Sequence, residues 1–278
     1  MKISCIPLSL YPQIISRKIS ITAWAELGLN AELDGIDLSI LFFPEINIKE
    51  AANLRSRLDS IDIELCMLNT YSDFTNPNKD KSLIELEKEV HYAEIAEVLG
   101  FHFLRVTIGK RHPDISVNEM IDSAIEYLVK LDEKTNNLKT KLLIENHAKP
   151  NHWDLDDFST NIDAFLKIVE NIEDTNIGIN FDLANATIYS KDPFELLHKL
   201  NKKICCIHCS DSSSTEELIH SEIGKGVIPI RRLINELVTM NWDGWISIEE
   251  GSNREQIGIM ESIKYIRNLL NNCYKNTN

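Results

Sequence analysis

The segment KLLIENH (residues 141–147) places an apolar run directly before a carboxylate, an amide and an imidazole. Three consecutive apolar side chains favour a dry interior, and a short run of this kind is typical of a buried strand. A carboxylate beside them loses its hydration, so Glu145 requires a compensating partner. The segment therefore predicts a strand that ends at a functional site.

Similar short runs rich in Ile, Leu and Val recur along the chain, each followed by a longer stretch of helical period. We predict strands at residues 2–7, 35–38, 63–69, 103–108, 141–145, 177–182, 204–208 and 245–249. This alternation favours a parallel sheet covered by helices. Eight units predict an α/β fold with a single domain, a (β/α)₈ TIM barrel at residues 1–270, followed by a polar tail at 271–278 that we expect to fray.

Composition excludes several classes of protein. The 278 residues carry 29 Lys and Arg against 43 Asp and Glu, a net charge of −14, which disfavours nucleic acid as a partner. No apolar run approaches the roughly eighteen residues of a membrane span, and the opening MKISCIPLSLYP is too short and Pro-interrupted for a secretory signal. We therefore expect a cytoplasmic protein without a membrane partner. The six cysteines suggest no disulfide framework, and small buried cysteines in a strand explain the cluster CCIHC (residues 205–209) better than a zinc site does.

The late strands end in residues that can bind a metal. In a barrel of this type the carboxyl ends of the strands face the active site, and the fifth to eighth strands end at Glu145, Asp182, His208 and Glu249. Singly, each has an ordinary explanation as a loop carboxylate, a helix N-cap or a core histidine. Together, three carboxylates would repel one another unless a cation lay among them. We predict a divalent metal, with Mn²⁺ expected first and Mg²⁺, Co²⁺ or Zn²⁺ as alternatives.

Such a site suits proton transfer on a sugar ketone. Moving a carbonyl, or inverting the carbon beside it, requires removal of a weakly acidic proton and stabilisation of an enediolate, which a chelating metal provides. One carboxylate takes the proton and a second returns it. Glu145 and Glu249 are the candidates for this pair.

The succession IENH, INFDLAN, IHCSD, GKG and DGWISIE resembles the xylose isomerase-like barrel superfamily of sugar isomerases and epimerases. The resemblance covers nearly the whole chain and is densest over residues 141–251. It implies that Glu145, Asp182, His208 and Glu249 form a metal-binding quartet, with the two glutamates as the catalytic acid/base pair. It also implies a homodimer or homotetramer.

Four further residues are candidates for substrate binding. Asn185 stands where several members of the family place a substrate-contacting histidine, and its amide can still contact a substrate hydroxyl. Asp211 matches an HxxD pattern, which implies that it orients the histidine or borders the pocket. His147 shares the inward side of Glu145 on the fifth strand and is expected to border the substrate. Trp153 is expected either to form an apolar wall over a sugar face or to cover the barrel rim.

The predicted function is a metal-dependent isomerase or epimerase acting on a ketose or a polyol-derived ketone. The identified mouth contains few Lys or Arg residues, which favours an unphosphorylated substrate. One alternative is an inosose-dehydratase-like lyase, because the same proton abstraction followed by loss of the β-hydroxyl gives dehydration. An alternative of another class is a non-catalytic sugar-binding barrel. A metal-dependent endonuclease is disfavoured, because strands two and three end in DLSI and LNTYSDF, without the extra histidines that its ions require.

Overall fold

The computed structural model describes residues 1–43, 45–150 and 152–277, in which eight strands alternate with ten α-helices. The strands are β1 (Lys2–Ile6), β2 (Gly35–Ser39), β3 (Glu64–Asn69), β4 (Phe103–Val106), β5 (Lys141–Glu145), β6 (Gly178–Asp182), β7 (Ile204–Cys209) and β8 (Trp245–Glu249). The helices are α1 (Tyr11–Ile15), α2 (Ile21–Asn30), α3 (Ile48–Leu58), α4 (Lys79–Leu99), α5 (Val117–Thr135), α6 (Ile162–Asn171), α7 (Leu183–Tyr189), α8 (Pro193–Leu200), α9 (Ile230–Thr239) and α10 (Glu255–Thr277).

The strands form one parallel sheet in the order β1-β8-β7-β6-β5-β4-β3-β2. The sheet curls into a nearly closed barrel with the helices between its strands, so the predicted (β/α)₈ TIM barrel is confirmed. Strand residues are mostly buried on both faces, as expected for a parallel sheet under helices.

The remaining seam lies between β1 and β2, which share no strand ladder within the described residues. Here Asp34 bridges the gap. Its backbone N–H donates to Ile3 O at 2.9 Å, and its carboxylate accepts a 2.7 Å hydrogen bond from Ile3 N. Arg267 of α10 donates to the same carboxylate at 3.1 Å, so the last helix supports the seam.

The predicted limits of β5 and β8 agree with the structure, whereas the fourth strand is shorter than predicted. Beyond Val106 the chain leaves β5 and binds the β3–α4 loop instead. Thr107 Oγ1 donates to Ser72 O at 2.8 Å, and Phe74 N donates to Ile108 O at 3.1 Å. At the other end of the chain, α10 continues to Thr277, so residues 271–277 of the predicted tail are helical, and residue 278 lies outside the described residues.

Several helices begin and end at residues that satisfy their free backbone groups. Asn47 with Glu50 forms a capping box at α3, and Ser116 with Glu119 forms another at α5. Gly100 ends α4 in the left-handed region at φ 83°. In the described part of the chain, no helix combines the length and apolar character that a membrane span needs.

Candidate active site

The carboxyl ends of β5, β6 and β7 place three predicted ligand residues side by side. Asp182 pairs with His208 in the β6–β7 register, and Glu145 pairs with Asn180 in the β5–β6 register. Glu145, Asp182 and His208 are at most 1 % exposed. One possible ligand atom from each lies within 4.8 Å of the other two. The strand register thus builds a buried carboxylate–carboxylate–imidazole cluster with the donor types of a metal site.

Glu249, the fourth predicted ligand, lies outside this close cluster. It ends β8, is only partly buried, and lines a cavity at the same end of the barrel. The structure therefore brings three of the four residues together and leaves the fourth at the wall of this cavity. Its role as a metal ligand stays a prediction.

Glu145 is surrounded by hydrogen-bond donors. Its Oε1 lies 3.1 Å from His208 Nδ1. Its Oε2 lies 3.0 Å from Arg105 Nε and accepts a 3.0 Å hydrogen bond from Asn180 Nδ2. Burial disfavours the charged form, but the positive charges of His208 and Arg105 outweigh burial and lower the pKa of Glu145. This carboxyl group is therefore ionised at neutral pH.

The other two members of the cluster have raised pKa values. Burial alone would lower the pKa of His208, but the charge of Glu145 raises it to about 10. Burial, followed by the charges of Glu249 and Glu145, raises the pKa of Asp182 well above its ordinary value. His208 Nε2 is buried and has no hydrogen-bond partner among the described residues. Crowded carboxylates beside an unpartnered imidazole nitrogen fit a divalent cation, whose charge would relieve the repulsion.

Arg105 on β4 is a site residue that sequence analysis missed. Its guanidinium group is buried and donates from Nε to Asn69 Oδ1 at 3.0 Å and from an Nη1 hydrogen to Thr70 O at 2.8 Å. Its Cζ lies 5.1 Å from the centre of the Tyr71 ring. The sequence did contain a signal for it, namely a charged residue inside the otherwise apolar run FLRV. Buried arginines occur mainly where they are paired, so this position indicated a nearby acidic partner. The mouth of the barrel therefore contains a basic side chain, Arg105, that sequence analysis did not place there.

A cavity of about 810 Å³ opens at this end of the barrel. Its size lies within the range of roughly 300–1,000 Å³ that is typical of small-molecule sites. Side chains from the ends of several strands and from the following loops form its wall, including Tyr71, Arg105, His147, Asn185, His220 and Glu249. Glu249, one of the two predicted proton-transfer residues, thus shares one space with predicted substrate-binding residues.

Two of the four predicted substrate-binding residues, His147 and Asn185, line this cavity. His147 Nδ1 lies 2.9 Å from Asp157 Oδ2. Asn185 donates its backbone N–H to Asp182 Oδ1 at 2.6 Å, while its side-chain Oδ1 is buried without a hydrogen-bond partner among the described residues. An unpartnered buried amide oxygen at a cavity wall is an acceptor available to a ligand. Contact of either residue with substrate stays a prediction.

The other two predicted substrate-binding residues, Trp153 and Asp211, do not line this cavity. Trp153 is buried outside the cavity wall, and Lys110 Nζ lies 5.3 Å from its ring centre. Its place fits the alternative that it covers the barrel rim.

The carboxylate of Asp211 supports the loop that follows β7. It accepts hydrogen bonds from Gly224 N at 2.8 Å, Gly226 N at 3.0 Å and Ile228 N at 3.2 Å. Three backbone N–H groups thus bind the carboxylate that was expected to orient His208 or to border the pocket. Asp211 therefore holds this loop in place, and its role at the pocket stays a prediction.

Asn180 and His220 also escaped sequence analysis. Asn180 is a polar residue inside the buried run GINFD, and that position was a usable signal. His220 lines the cavity with Nδ1 buried and unpartnered within the described residues. Nothing in the polar segment around His220 distinguishes it from its neighbours, because its position depends on how the loop folds.

Comparisons with known proteins agree with this architecture. An uncharacterised protein of Methanocaldococcus jannaschii is 27 % identical over 232 residues, which are 81 % of this chain and 76 % of that protein. Among solved structures, a D-tagatose 3-epimerase-like protein matches with a TM-score of 0.83 at 20 % identity, over 100 % of both chains. The IolI protein with a bound zinc atom matches with a TM-score of 0.76 at 15 % identity, over 97 % of this chain and 98 % of that one.

At these identities the solved structures show the shared fold. The family itself is shown by a sequence model, described as a xylose isomerase-like TIM barrel, that matches residues 23–269. This match includes every strand from β2 to β8 and all four residues at the late strand ends. The chain therefore belongs to the xylose isomerase-like TIM barrel family.

Proposed function

We propose that this protein is a divalent-metal-dependent isomerase or epimerase of a ketose or a polyol-derived ketone. The observation that carries the proposal is the buried Glu145–Asp182–His208 cluster, at the same barrel end as a cavity lined by Glu249. A ligand-type cluster with a third carboxylate, Glu249, at the adjoining cavity is the arrangement that proton transfer on a chelated sugar requires.

Glu145, Asp182 and His208 would hold the ion, with Glu249 as the proposed fourth ligand. Carboxylate oxygens combined with one imidazole suit Mn²⁺, which is the proposed ion, and also Zn²⁺ in an open catalytic site. When bound, the ion would stabilise the negative charge that develops on the substrate oxygens. The raised pKa of Asp182 and the unpartnered His208 Nε2 support this assignment.

The two glutamates would move the proton. Glu145 is ionised and held by Asn180 and Arg105, so it is ready to accept the proton on the carbon beside the carbonyl. Glu249 would return a proton to the enediolate from the cavity side. Return to the opposite face of the same carbon inverts its configuration, and return to the neighbouring carbon moves the carbonyl, so the position of the substrate selects the reaction.

The proposal predicts metal binding and exchange of a carbon-bound hydrogen with solvent. Metal-stripped protein is titrated with Mn²⁺ by calorimetry and then incubated in D₂O with a panel of ketoses and an inosose. We expect one Mn²⁺ site per chain and deuterium in the recovered sugar, detected by NMR. Appearance of enone absorbance instead would identify the lyase.

Glu145→Gln and Glu249→Gln separate catalysis from binding. Each change should lower turnover by about 10²–10⁴-fold, the usual contribution of a general acid or base. Glu216→Gln, in the exposed part of the β7–α9 loop, is the matched control and should leave turnover unchanged. Full turnover in both glutamine variants, or failure of the wild-type chain to bind Mn²⁺, would refute the proposal.

A further inference from the structure

Glu89 of α4 is a buried carboxyl group that the proposed proton transfer does not use. It is 1 % exposed, and its Oε2 lies 2.6 Å from Thr70 Oγ1. It forms no ion pair with another described residue, and the neighbouring Lys88 pairs with Glu85 instead, at 2.8 Å. A buried charge without a cation is strongly unfavourable, so these surroundings favour the neutral carboxylic acid.

The hydrogen bonds of Thr70 favour the same protonation state. Thr70 Oγ1 lies 3.1 Å from Arg105 O, in addition to its contact with Glu89. A hydroxyl group has one hydrogen to donate, and a backbone carbonyl group can only accept. If Glu89 is a carboxylic acid, it donates to Thr70 Oγ1 and Thr70 donates to Arg105 O, so each contact has its own hydrogen. If Glu89 is a carboxylate, two acceptors share one hydrogen.

The groups around Glu89 do not reverse this preference. The ionisable groups near it on α4 and β4, and those that line the same cleft of about 560 Å³ above α4, are Glu85, Lys88, Tyr92, Arg105, Tyr71, Asp73, Lys81, Lys110 and His152. Burial outweighs the hydrogen bond from Thr70 and the positive charge of Arg105, and it raises the pKa of Glu89 to about 8. The group is therefore mostly protonated at neutral pH and ionises in the alkaline range.

Thr70 connects Glu89 to the active end of the barrel. Its N–H donates to Arg105 O at 2.8 Å, and its carbonyl group accepts a 2.8 Å hydrogen bond from Arg105 Nη1. Arg105 Nε in turn lies 3.0 Å from Glu145 Oε2, which belongs to the carboxylate that is proposed to accept the proton. The position of Glu145 thus depends on a series of contacts that begins on α4.

We propose that Glu89 is a positioning residue of this site, which in its neutral form fixes Thr70 and, through Thr70 and Arg105, the proton acceptor Glu145. The inference rests on the proposed function, to which it adds control by pH. On ionisation, Glu89 no longer donates to Thr70 Oγ1, and its charge competes with Glu145 for the guanidinium group of Arg105. The active form of the site therefore requires the proton on Glu89.

The coupling of Glu89 to Arg105 can be measured without substrate. ¹H–¹⁵N spectra of the metal-free full chain, recorded on either side of pH 8, report the Nε–H group of Arg105, and the signal that is missing from Arg105→Lys assigns it. We expect this signal to shift with a midpoint near pH 8 in the wild-type chain and to show no such shift in Glu89→Gln. The amide of Glu89→Gln still donates to Thr70 but does not ionise.

Glu87→Gln is the matched control, because it removes the same type of group from an exposed position of α4 and should retain the wild-type shift. Absence of the shift in the wild-type chain, or an unchanged shift in Glu89→Gln, would overturn the inference.

Hydrogen exchange in D₂O tests the positioning role, with the ketose that exchanges most in the panel. In the metal-loaded wild-type chain and in Glu87→Gln, exchange should decline as the pH rises through 8, and this decline should be absent from Glu89→Gln. Glu89→Leu has no donor for Thr70, so at neutral pH we expect about tenfold slower exchange, the effect of one lost hydrogen bond, whereas Glu89→Gln keeps the wild-type rate.

The two proposals fail in different ways. Equal pH dependence in wild type and Glu89→Gln, or full exchange in a Glu89→Leu chain that urea denaturation shows to be folded, would overturn the positioning role and leave the isomerase proposal intact. If the Arg105 signal follows Glu89 as expected but no sugar exchanges hydrogen, the coupling stands and the isomerase proposal fails.

Discussion

The ion pair of Arg105 and Glu145 is buried at the active end of the barrel, with both side chains at most 3 % exposed. A buried charge is tolerated when it is paired and hydrogen-bonded, and Arg105 also donates to Asn69 and Thr70. Removing one partner leaves the other charge uncompensated, which costs more than the pair itself contributes. The two residues therefore depend on each other for stability.

Replacement of Arg105 by methionine keeps an apolar chain of similar length but leaves Glu145 without this cation. We expect Arg105→Met to lower the free energy of unfolding by about 3–5 kcal/mol, measured by urea denaturation. Arg231→Met is the control, because Arg231 is exposed at the start of α9 and should contribute little. A loss for Arg105→Met no larger than that of the control would contradict the assigned pairing.

The pKa of His208 in the folded chain, about 10, lies above its ordinary value of 6.5. Its ionised form therefore stabilises the metal-free fold, fully below pH 6.5, and this contribution is lost as the pH rises towards 10. The lowered pKa of Glu145 acts in the opposite range, because its contribution is present above its ordinary value of 4.5 and is lost as the pH falls.

We predict that metal-free protein in EDTA loses stability between pH 6.5 and 10 and that His208→Gln removes this part of the loss. Urea denaturation at a series of pH values measures the free energy of unfolding of both chains. His198→Gln, which changes a half-exposed histidine on α8, should retain the wild-type pH dependence. Equal slopes for His208→Gln and wild type would contradict the pairing of His208 with Glu145.

At the scale of elements, the β7–α9 loop carries His220 to the cavity on a turn organised by Asp211. A Cβ atom at Gly226 would collide with the Asp211 carboxylate and with the Ser212 carbonyl group. The turn therefore requires glycine at this position for reasons of space, since the backbone and the buried carboxylate have little freedom to move.

Gly226→Ala should displace this loop and lower the free energy of unfolding by roughly 1–3 kcal/mol, as overpacking does elsewhere. Urea denaturation measures the loss, and limited proteolysis should show faster cleavage between β7 and α9. Ser213→Ala, at an exposed position of the same loop, should change neither. Wild-type stability and cleavage in Gly226→Ala would mean that the turn is not held as tightly as the contacts of Asp211 indicate.

The elements differ in how well the sequence predicts them. The last residues of β5, β6 and β8 were predicted correctly, because in each case an apolar run stops at a carboxylate. The fourth strand was extended too far because Thr107 and Ile108 continue its pattern although they bind a loop. Asp157 and His220 were missed for a related reason: hydrophobic spacing predicts local structure but does not indicate which loops meet over a cavity.

At the scale of the whole molecule, the barrel closes through Asp34 rather than through a continuous ladder. This side chain joins β1 to the start of β2 and receives Arg267 from the last helix. Because one carboxylate serves both the seam and the C-terminal helix, its loss affects segments from both ends of the chain.

We expect Asp34→Ala to lower the free energy of unfolding by about 1–3 kcal/mol, since Ile3 N–H and the Arg267 guanidinium group lose their shared acceptor. Hydrogen exchange of the Ile3 amide should accelerate as well. Asp59→Ala removes a carboxylate that makes only an exposed pair with Arg55, so it is the control and should cost little. Unchanged exchange at Ile3 in Asp34→Ala would show that the seam is held by other contacts.

The pairing of β1 with β8 has a consequence for biosynthesis. Lys2 lies beside Trp245 and Ile6 beside Glu249 in their shared ladder. β1 thus lacks this neighbour until the seven following strands have been translated. Such a distant contact is slow to form, and an unpaired edge is prone to pair with other chains in the meantime. The sheet of the barrel therefore cannot be completed before β8 has been translated.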